Sequence, residues 1–344
     1  MLPLELPVAP MLAKAVATIP SGAFIHEPKW DGFRCIISRD GDDVVLGSRG
    51  KKSLTRYFHE LLPAVATLPQ RCIIDSEIIV RTGDPGAQRL SWDLLSQRIH
   101  PAESRVARLA AETPAELVCF DILALDDDDL TGQTWEDRRG ALEKLFTPKP
   151  HPSLHLSAYT RDEHLARDWF TRFEGAGLDG VVSKAVDGLY EQGRRSMLKI
   201  KHKRTAEAVV VGYRIAKNGD GVGSLLLGMY DARGSLARVG GIVALPVAMR
   251  RALVSELAPL VTAEIEPALE STRSRFSSET DASYVPLEPS LVVEVAFDQL
   301  EGQRFRHAVS FVRWRPDREP ASCLLDQVDK AIAYDLDEVF TTSS

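Results

Sequence analysis

The 344-residue chain predicts an α+β protein: a mixed α/β domain with antiparallel sheets over residues 1–203, followed by a small β-barrel over residues 204–344. Three observations carry this reading. Short apolar runs separated by turn residues recur through the first domain and mark strands. Between them lie segments whose apolar side chains follow helical spacing. From about Ala206 strand-like runs follow one another with glycines at the turns, the texture of a barrel.

The first strand is Ala23-Phe24-Ile25, which runs into Glu27-Pro28-Lys29-Trp30-Asp31-Gly32-Phe33-Arg34. Phe33 to Ser38 and Val44 to Ser48 flank Asp40-Gly41, a hairpin signal. Leu54, Phe58, Leu61 and Val65 recur at helical spacing and predict a helix. Cys72 to Val80 is an apolar strand with Asp75 and Glu77 embedded in it, and Leu117 to Leu123 is another, holding Phe120 and Asp121. A turn at Asp126 to Asp129 leads to a helix opening at Thr134. Thr160 and Glu163 form a capping-box pattern ahead of a helix whose core side is Leu165, Trp169 and Phe173. Gly180 to Lys184 and Ser196 to Lys201 are the last strands of the first domain. In the barrel, strands are expected at Val209 to Tyr213, Leu225 to Tyr230, Leu291 to Val295 and Ser310 to Trp314. A helix over Val247 to Leu257 and an exposed polar loop from Ser271 to Ser283 interrupt them, and the boundary between domains falls near Lys203 to Thr205.

The apolar and charged fractions, 44% and 26%, are those of a soluble globular protein. A formal net charge of -7 excludes a surface coated in positive potential, so any nucleic-acid binding has to come from a local basic face. No run is long enough to span a membrane. The N-terminus lacks a basic leader and carries Glu5 and prolines, so it does not read as a secretion signal. Cys35, Cys72 and Cys119 lie in strand-like runs, and none pairs with Cys323 at metal-ligand spacing, which predicts reduced core residues in a cytoplasmic protein. There is no zinc spacing among the histidines, no phosphate-cradling G-x-x-x-x-G-K-[ST] loop and no G-x-G-x-x-G fingerprint.

Lys29 stands just past an apolar strand and two residues before Asp31, so an extended chain turns both side chains the same way. Such a lysine is placed to attack a bound phosphate, although a surface lysine before a turn has the same local pattern. As a nucleophile the amine must be neutral, which asks for a shift of about 3 units from an ordinary pKa near ~10.4. Between Gln192 and Ala206 there is no acidic residue, while Arg194, Arg195, Lys199, Lys201, Lys203 and Arg204 are present. Lys199 and Lys201 flank Ile200 in a strand, so both point to one side and can converge on an anion. Asp75, Glu77 and Asp121 lie inside strands, where an unpaired carboxylate is expensive. Each needs an arginine, a sugar hydroxyl or a divalent metal, and Asp179 carries the same alternatives.

Taken in order, these segments resemble the covalent nucleotidyltransferase superfamily, most closely the small bacterial ATP-dependent DNA ligases, over nearly the whole chain. The K-x-D-G-x-R signature is Lys29-Trp30-Asp31-Gly32-Phe33-Arg34, and a shortened S-R-x-G element is Ser48-Arg49-Gly50. Asp75-Ser76-Glu77, Phe120-Asp121-Ile122-Leu123, Asp179-Gly180-Val181-Val182-Ser183-Lys184, Lys199-Ile200-Lys201 and Arg315-Pro316-Asp317-Arg318 resemble the family's remaining motifs. The resemblance implies a nucleotidyltransferase (adenylation) domain followed by an OB-fold. It implies that Lys29 forms lysyl-AMP from ATP, that Glu27 reads the adenine edge and that Phe120 stacks on the base. By the same resemblance Glu77 holds the ribose hydroxyls, and Arg34, Ser48, Arg49 and Arg194 hold phosphates of the nucleotide or the nick. Lys199 and Lys201 neutralise the α-phosphate, while Arg315 and Arg318 orient the leaving pyrophosphate. Glu77 and Asp179 are the implied ligands of Mg2+ or Mn2+. Asp179 stands where the family has a glutamate, Ser76 where it has a glycine and Arg318 where it has a lysine.

The implied activity is the sealing of 3′-OH/5′-phosphate breaks in duplex DNA, nicked or broken, in DNA repair, by a monomer. No further DNA-binding domain precedes Lys29, so the expectation is a minimal enzyme that clasps DNA with two domains or relies on a recruiting repair protein. Within the superfamily the alternative is an RNA ligase or a capping-type guanylyltransferase. From other classes, the alternatives are a Schiff-base enzyme acting through Lys29 and a non-catalytic nucleic-acid-binding protein.

Overall fold

The structure is a computed structural model, which describes every residue except 1, 148–150, 203, 217–218, 220, 264–283, 299, 329–331 and 342–344. Two compact units are present, Met1–Lys201 with Ala331–Ser344, and His202–Lys330.

Two sheets form the first unit. One has the order β1-β11-β10-β2, with β1 at Ala13–Ala15, β2 at Phe24–Pro28, β10 at Val181–Ala185 and β11 at Met197–Ile200. The other has the order β4-β3-β5-β7-β8, from β3 (Phe33–Asp40), β4 (Asp43–Ser48), β5 (Arg71–Thr82), β7 (Ala115–Leu125) and β8 (Asp128–Asp129). Strands β6 (Arg89–Leu90) and β9 (Leu154–Leu156) pair with β5 and β7.

Period-two alternation divides these strands between two cores. Cys35 and Ile37 of β3 face the cluster that also buries Cys72, Ile74, Ile78 and Val80 of β5. Ile36 and Ile73 face the opposite way and pack with Met11, Leu123, Tyr190 and Met197, between the two sheets. Arg34, Asp75 and Glu77 have the parity of Ile36 and Ile73, so they too are turned between the sheets.

Helices cover the outer faces: α1 (Leu62–Val65), α2 (Trp92–Gln97), α3 (Glu103–Glu112), α4 (Trp135–Leu145) and α5 (Glu163–Arg172). Thr134 caps α4 by accepting from the Asp137 N–H at 3.2 Å. Two expectations are corrected here. The apolar spacing at Leu54, Phe58, Leu61 and Val65 makes two 3₁₀ turns, Thr55–Tyr57 and His59–Leu61, and only the short α1. Pro63 lacks an N–H and its ring obstructs the carbonyl four residues back, which breaks a continuous helix. Asp162, not Thr160, caps α5, because the Thr160 backbone is drawn into a bridge with His26 of β2.

The second unit is a six-stranded antiparallel sheet in the order β14-β13-β12-β16-β19, with β15 (Val285–Pro286) on β12. Its strands are β12 (Arg204–Ile215), β13 (Val222–Tyr230), β14 (Leu236–Ile242), β16 (Val292–Phe297) and β19 (Ser310–Trp314), with the small hairpin β17 (Leu300–Glu301) and β18 (Arg304–Phe305) before β19. A bridge between Ile242 and Val309 joins the two edges and closes a barrel. Helix α6 spans Val247–Leu257 as expected. The expected loop from Ser271 to Ser283 lies outside the described residues.

The tail departs from the expected division. Residues assigned in sequence to the barrel return to the first unit, where α7 (Leu336–Thr341) buries Leu336 and Val339. The burial of these two side chains explains the return. Among the described residues no helix is long and apolar enough to cross a membrane.

Candidate active site

Strand register assembles the site. Pro28 of β2 pairs with Val181 of β10, and Val181 pairs with Ile200 of β11. One step further along, the Lys29 N–H donates to the Gly180 carbonyl at 2.9 Å and the Asp179 N–H donates to the Lys29 carbonyl at 3.0 Å. Lys29, Asp179 and Lys201 therefore stand side by side at the ends of three neighbouring strands. Lys29 Nζ lies 2.6 Å from Asp179 Oδ2, and Lys201 Nζ lies 2.7 Å from the same oxygen. Burial works to raise the Asp179 carboxyl, but the two lysines outweigh it and hold it below the ordinary carboxylate value. Lys29 keeps 19% side-chain exposure against 8% for Asp179, so the amine is the more accessible partner.

Lys199 shares its face of β11 with Met197, which looks between the sheets. Burial, then the charges of Lys201, Lys29 and Arg49, hold its ammonium below the ordinary lysine value against the pull of Asp179. Two lysines thus contact one carboxylate, and Lys199 and Arg49 add positive charge nearby, an arrangement suited to a polyanion.

Across the cleft, β3 and β5 set Arg34 opposite Glu77. Arg34 makes a two-pronged pair with Asp75 at 2.5 and 2.6 Å, and Tyr190 donates to Asp75 Oδ2 at 2.5 Å. Asp75 is thereby fully partnered within the protein, and Arg34 is committed to it, rather than standing open for a phosphate. Among the described residues Glu77 accepts from the Gly32 N–H at 3.2 Å, and burial pushes its carboxyl up to about 7 against Arg34 and Lys29.

Phe120 owes its placement to a bulge. Asp75 pairs with Asp121 and Ser76 with Cys119, so Phe120 is the extra residue of β7. Its ring lies 4.6 Å from the Arg34 guanidinium carbon and 4.9 Å from Lys184 Nζ. Asp121 is held by the buried Arg138 of α4 at 2.8 and 3.1 Å, which makes it a structural ion pair.

Glu27 is buried beside Lys184, whose Nζ lies 3.0 and 2.8 Å from its two oxygens. Burial raises the Glu27 carboxyl against the opposing pull of Lys184. Sequence reasoning missed Lys184 and Tyr190. The signal for Lys184 was present, since alternation along β10 puts it on the face of Val182, which packs between the sheets. Tyr190 lies in a loop with no periodicity to read.

Arg49 and Arg194 are exposed on turns of the first unit. Arg315 and Arg318 belong to the second. Arg315 is engaged by Glu207 at 2.5 Å and by Asp317 at 2.8 and 2.9 Å. Arg318 donates its backbone N–H to the Arg315 carbonyl at 3.1 Å, and its buried Nε has no protein partner among the described residues.

No three His, Cys, Asp or Glu side chains gather as a metal cluster among the described residues. Glu77 nevertheless fits a hard cation, because it is a half-buried carboxylate with no ion pair among the described residues. Mg2+ takes one or two carboxylates together with substrate phosphates and needs no full protein cage. Asp179 fits only by exchanging one of its lysines.

Residues 9–201 match the family described as ATP dependent DNA ligase domain, and residues 218–318 match the ATP dependent DNA ligase C terminal region. DNA ligase C1 of Mycolicibacterium smegmatis is 48% identical over 346 residues, covering 98% of this chain and 98% of the relative. DNA ligase C of Mycobacterium tuberculosis is 49% identical over 356 residues, again with 98% of each chain covered. A solved Lig E DNA ligase, described as binding DNA with a minimal scaffold, is similar in fold, with a TM-score of 0.57 at 19% identity over 89% of this chain and 99% of that one.

Proposed function

The chain belongs to the ATP-dependent DNA ligase family, and on that premise we propose that Lys29 is its nucleophile and that the cleft around it is the adenylation site. The protein is an ATP-dependent DNA ligase, built from a nucleotidyltransferase unit and an OB-fold barrel. The convergence of Lys29, Asp179 and Lys201 at the ends of three paired strands carries the assignment of roles.

In the first step Lys29 Nζ attacks the α-phosphate of ATP; the N–P bond forms as the P–O bond to pyrophosphate breaks. Asp179 Oδ2, at 2.6 Å, is in reach of the proton that Nζ must shed. Lys199 and Lys201 hold the α-phosphate, Glu77 the ribose hydroxyls, Phe120 the base face, and Glu27, steadied by Lys184, the adenine edge. AMP then passes to the 5′-phosphate of the break, and the 3′-hydroxyl displaces it. Positioning and charge neutralisation do most of this chemistry. A divalent ion, Mg2+ or Mn2+, would be held by Glu77 as the better-fitting ligand and by Asp179 as the second, and would supply Lewis-acid charge at the phosphates.

Arg49 and Arg194, exposed at turns, suit phosphates of the nick, and Arg34 contributes through Phe120 and Asp75. On the barrel, Arg315 reaches pyrophosphate by trading Glu207 or Asp317 for it, with Arg318 beside it. The hinge expected over Lys203 to Thr205 is corrected in part, because Arg204 and Thr205 are paired within β12 with Phe297 and Ala296; Lys203 lies outside the described residues. We further infer a cytoplasmic monomer that repairs nicked or broken duplex DNA, with a recruiting repair protein as an open partner.

Incubation with ATP labelled at the α-phosphate, then denaturing electrophoresis, tests the assignment. Wild type retains label and Lys29→Ala retains none; label on the variant would move the nucleophile elsewhere.

A further inference from the structure

The apolar floor beneath Lys29 is completed by residues from far along the chain. Trp30 follows Lys29 and Leu178 precedes Asp179, so these two side chains anchor the backbone on either side of the Lys29–Asp179 pair. Both are buried in one cluster, which Leu336 and Val339 of α7 close. Phe340 stacks on Trp30 with centroids 5.0 Å apart and planes 15° apart, and on His155 at 4.1 Å and 21°. The tail is locked in place by polar contacts as well. Arg81 donates to Asp337 at 2.8 Å, and the Leu336 N–H donates to the Gln88 carbonyl at 2.8 Å. Gly175 leaves room for the returning chain, since a Cβ there would lie 1.8 Å from the Ile332 carbonyl oxygen.

We propose that Phe340 is a positioning residue for adenylation: its stack on Trp30 fixes the strand end that presents Lys29, and the cluster it caps fixes Asp179 through Leu178. The inference rests on Lys29 being the nucleophile. In-line attack on phosphorus demands that Nζ be placed to within a fraction of an ångström, and a displacement of about 1 Å from a remote change can cost on the order of a hundredfold in rate. The third step needs no lysine nucleophile, because AMP already sits on the DNA. A defect in presenting Lys29 therefore separates the steps.

The test uses the full chain carrying Phe340→Ala, with Phe340→Tyr as the conservative variant and Lys29→Ala as control. Single-turnover labelling from α-labelled ATP reads the first step, and sealing of a pre-adenylated nick reads the third. Phe340→Ala is expected to slow labelling by about tenfold or more at saturating ATP while sealing of the pre-adenylated nick stays within about twofold, and Phe340→Tyr restores labelling. Phe340→Leu, which keeps the burial and removes the stack, is read in its place should Phe340→Ala not fold. Labelling at the wild-type rate in the variant read, or an equal loss in both steps, overturns the proposal. Label on Lys29→Ala overturns the assignment of the nucleophile instead.

Discussion

Glu77 is the residue whose chemistry depends most on pH. Burial holds its carboxyl up to about 7, above the ordinary 4.5. A carboxyl raised in the folded state stabilises the fold while protonated, and that contribution is lost as pH rises from 4.5 through about 7. Its anion, however, is the form that accepts from ribose hydroxyls or holds a cation. Glu77→Gln is therefore expected to raise stability at about pH 8 by roughly 2 kcal/mol, discounted for partial exposure. A shift in denaturant midpoint measures it. The same change should weaken ATP, and in the wild type the apparent affinity for ATP should improve as pH climbs through about 7. A flat pH profile in wild type removes Glu77 from the binding role. The identity of Glu77 was legible in sequence because a carboxylate inside an apolar strand is conspicuous. The partners of Asp75 and Asp121 were not legible, because Arg34 lies 41 positions before Asp75 and Arg138 lies 17 after Asp121.

At the scale of elements, β10 does the assembling. Gly180 has φ 127° and its hypothetical Cβ would lie 2.0 Å from the Ile200 carbonyl oxygen. Only glycine lets β2, β10 and β11 meet at the point where Lys29, Asp179 and Lys201 converge. Gly180→Ala is expected to cost at least about 2 kcal/mol and to depress labelling of Lys29 more than that loss alone would. Thermal unfolding and single-turnover labelling check the two parts; a variant as stable and active as wild type removes the requirement. Alternation made part of this assembly readable in advance, since Lys199 of β11 and Lys201 just past its end share one side by period two. The bulge that turns Phe120 out was not readable, because an added residue in one strand shows only against its partner. The helical spacing from Leu54 to Val65 misled for a local reason, Pro63.

Across the whole molecule, the net charge of -7 leaves DNA binding to confined basic surfaces. Affinity for nicked duplex should then fall roughly a hundredfold between about 50 and 200 mM salt for about four phosphate contacts. Labelling of Lys29 by ATP should stay within about twofold over that range. Fluorescence anisotropy of a nicked duplex, run beside the labelling assay, separates them, and equal salt sensitivity would mean that both ligands depend on the same exposed charges. The return of α7 to the first unit was hidden from sequence reasoning, which saw only a short apolar cluster after the last barrel strand. That return also sets an order of assembly on the ribosome. The nascent first unit emerges with Trp30 uncovered, and it stays so while the whole of His202–Lys330 is translated. At about 5–20 residues per second that interval is on the order of ten seconds. Only then does Phe340 leave the exit tunnel, so a polypeptide cut short by premature termination would fold around an unfinished catalytic floor.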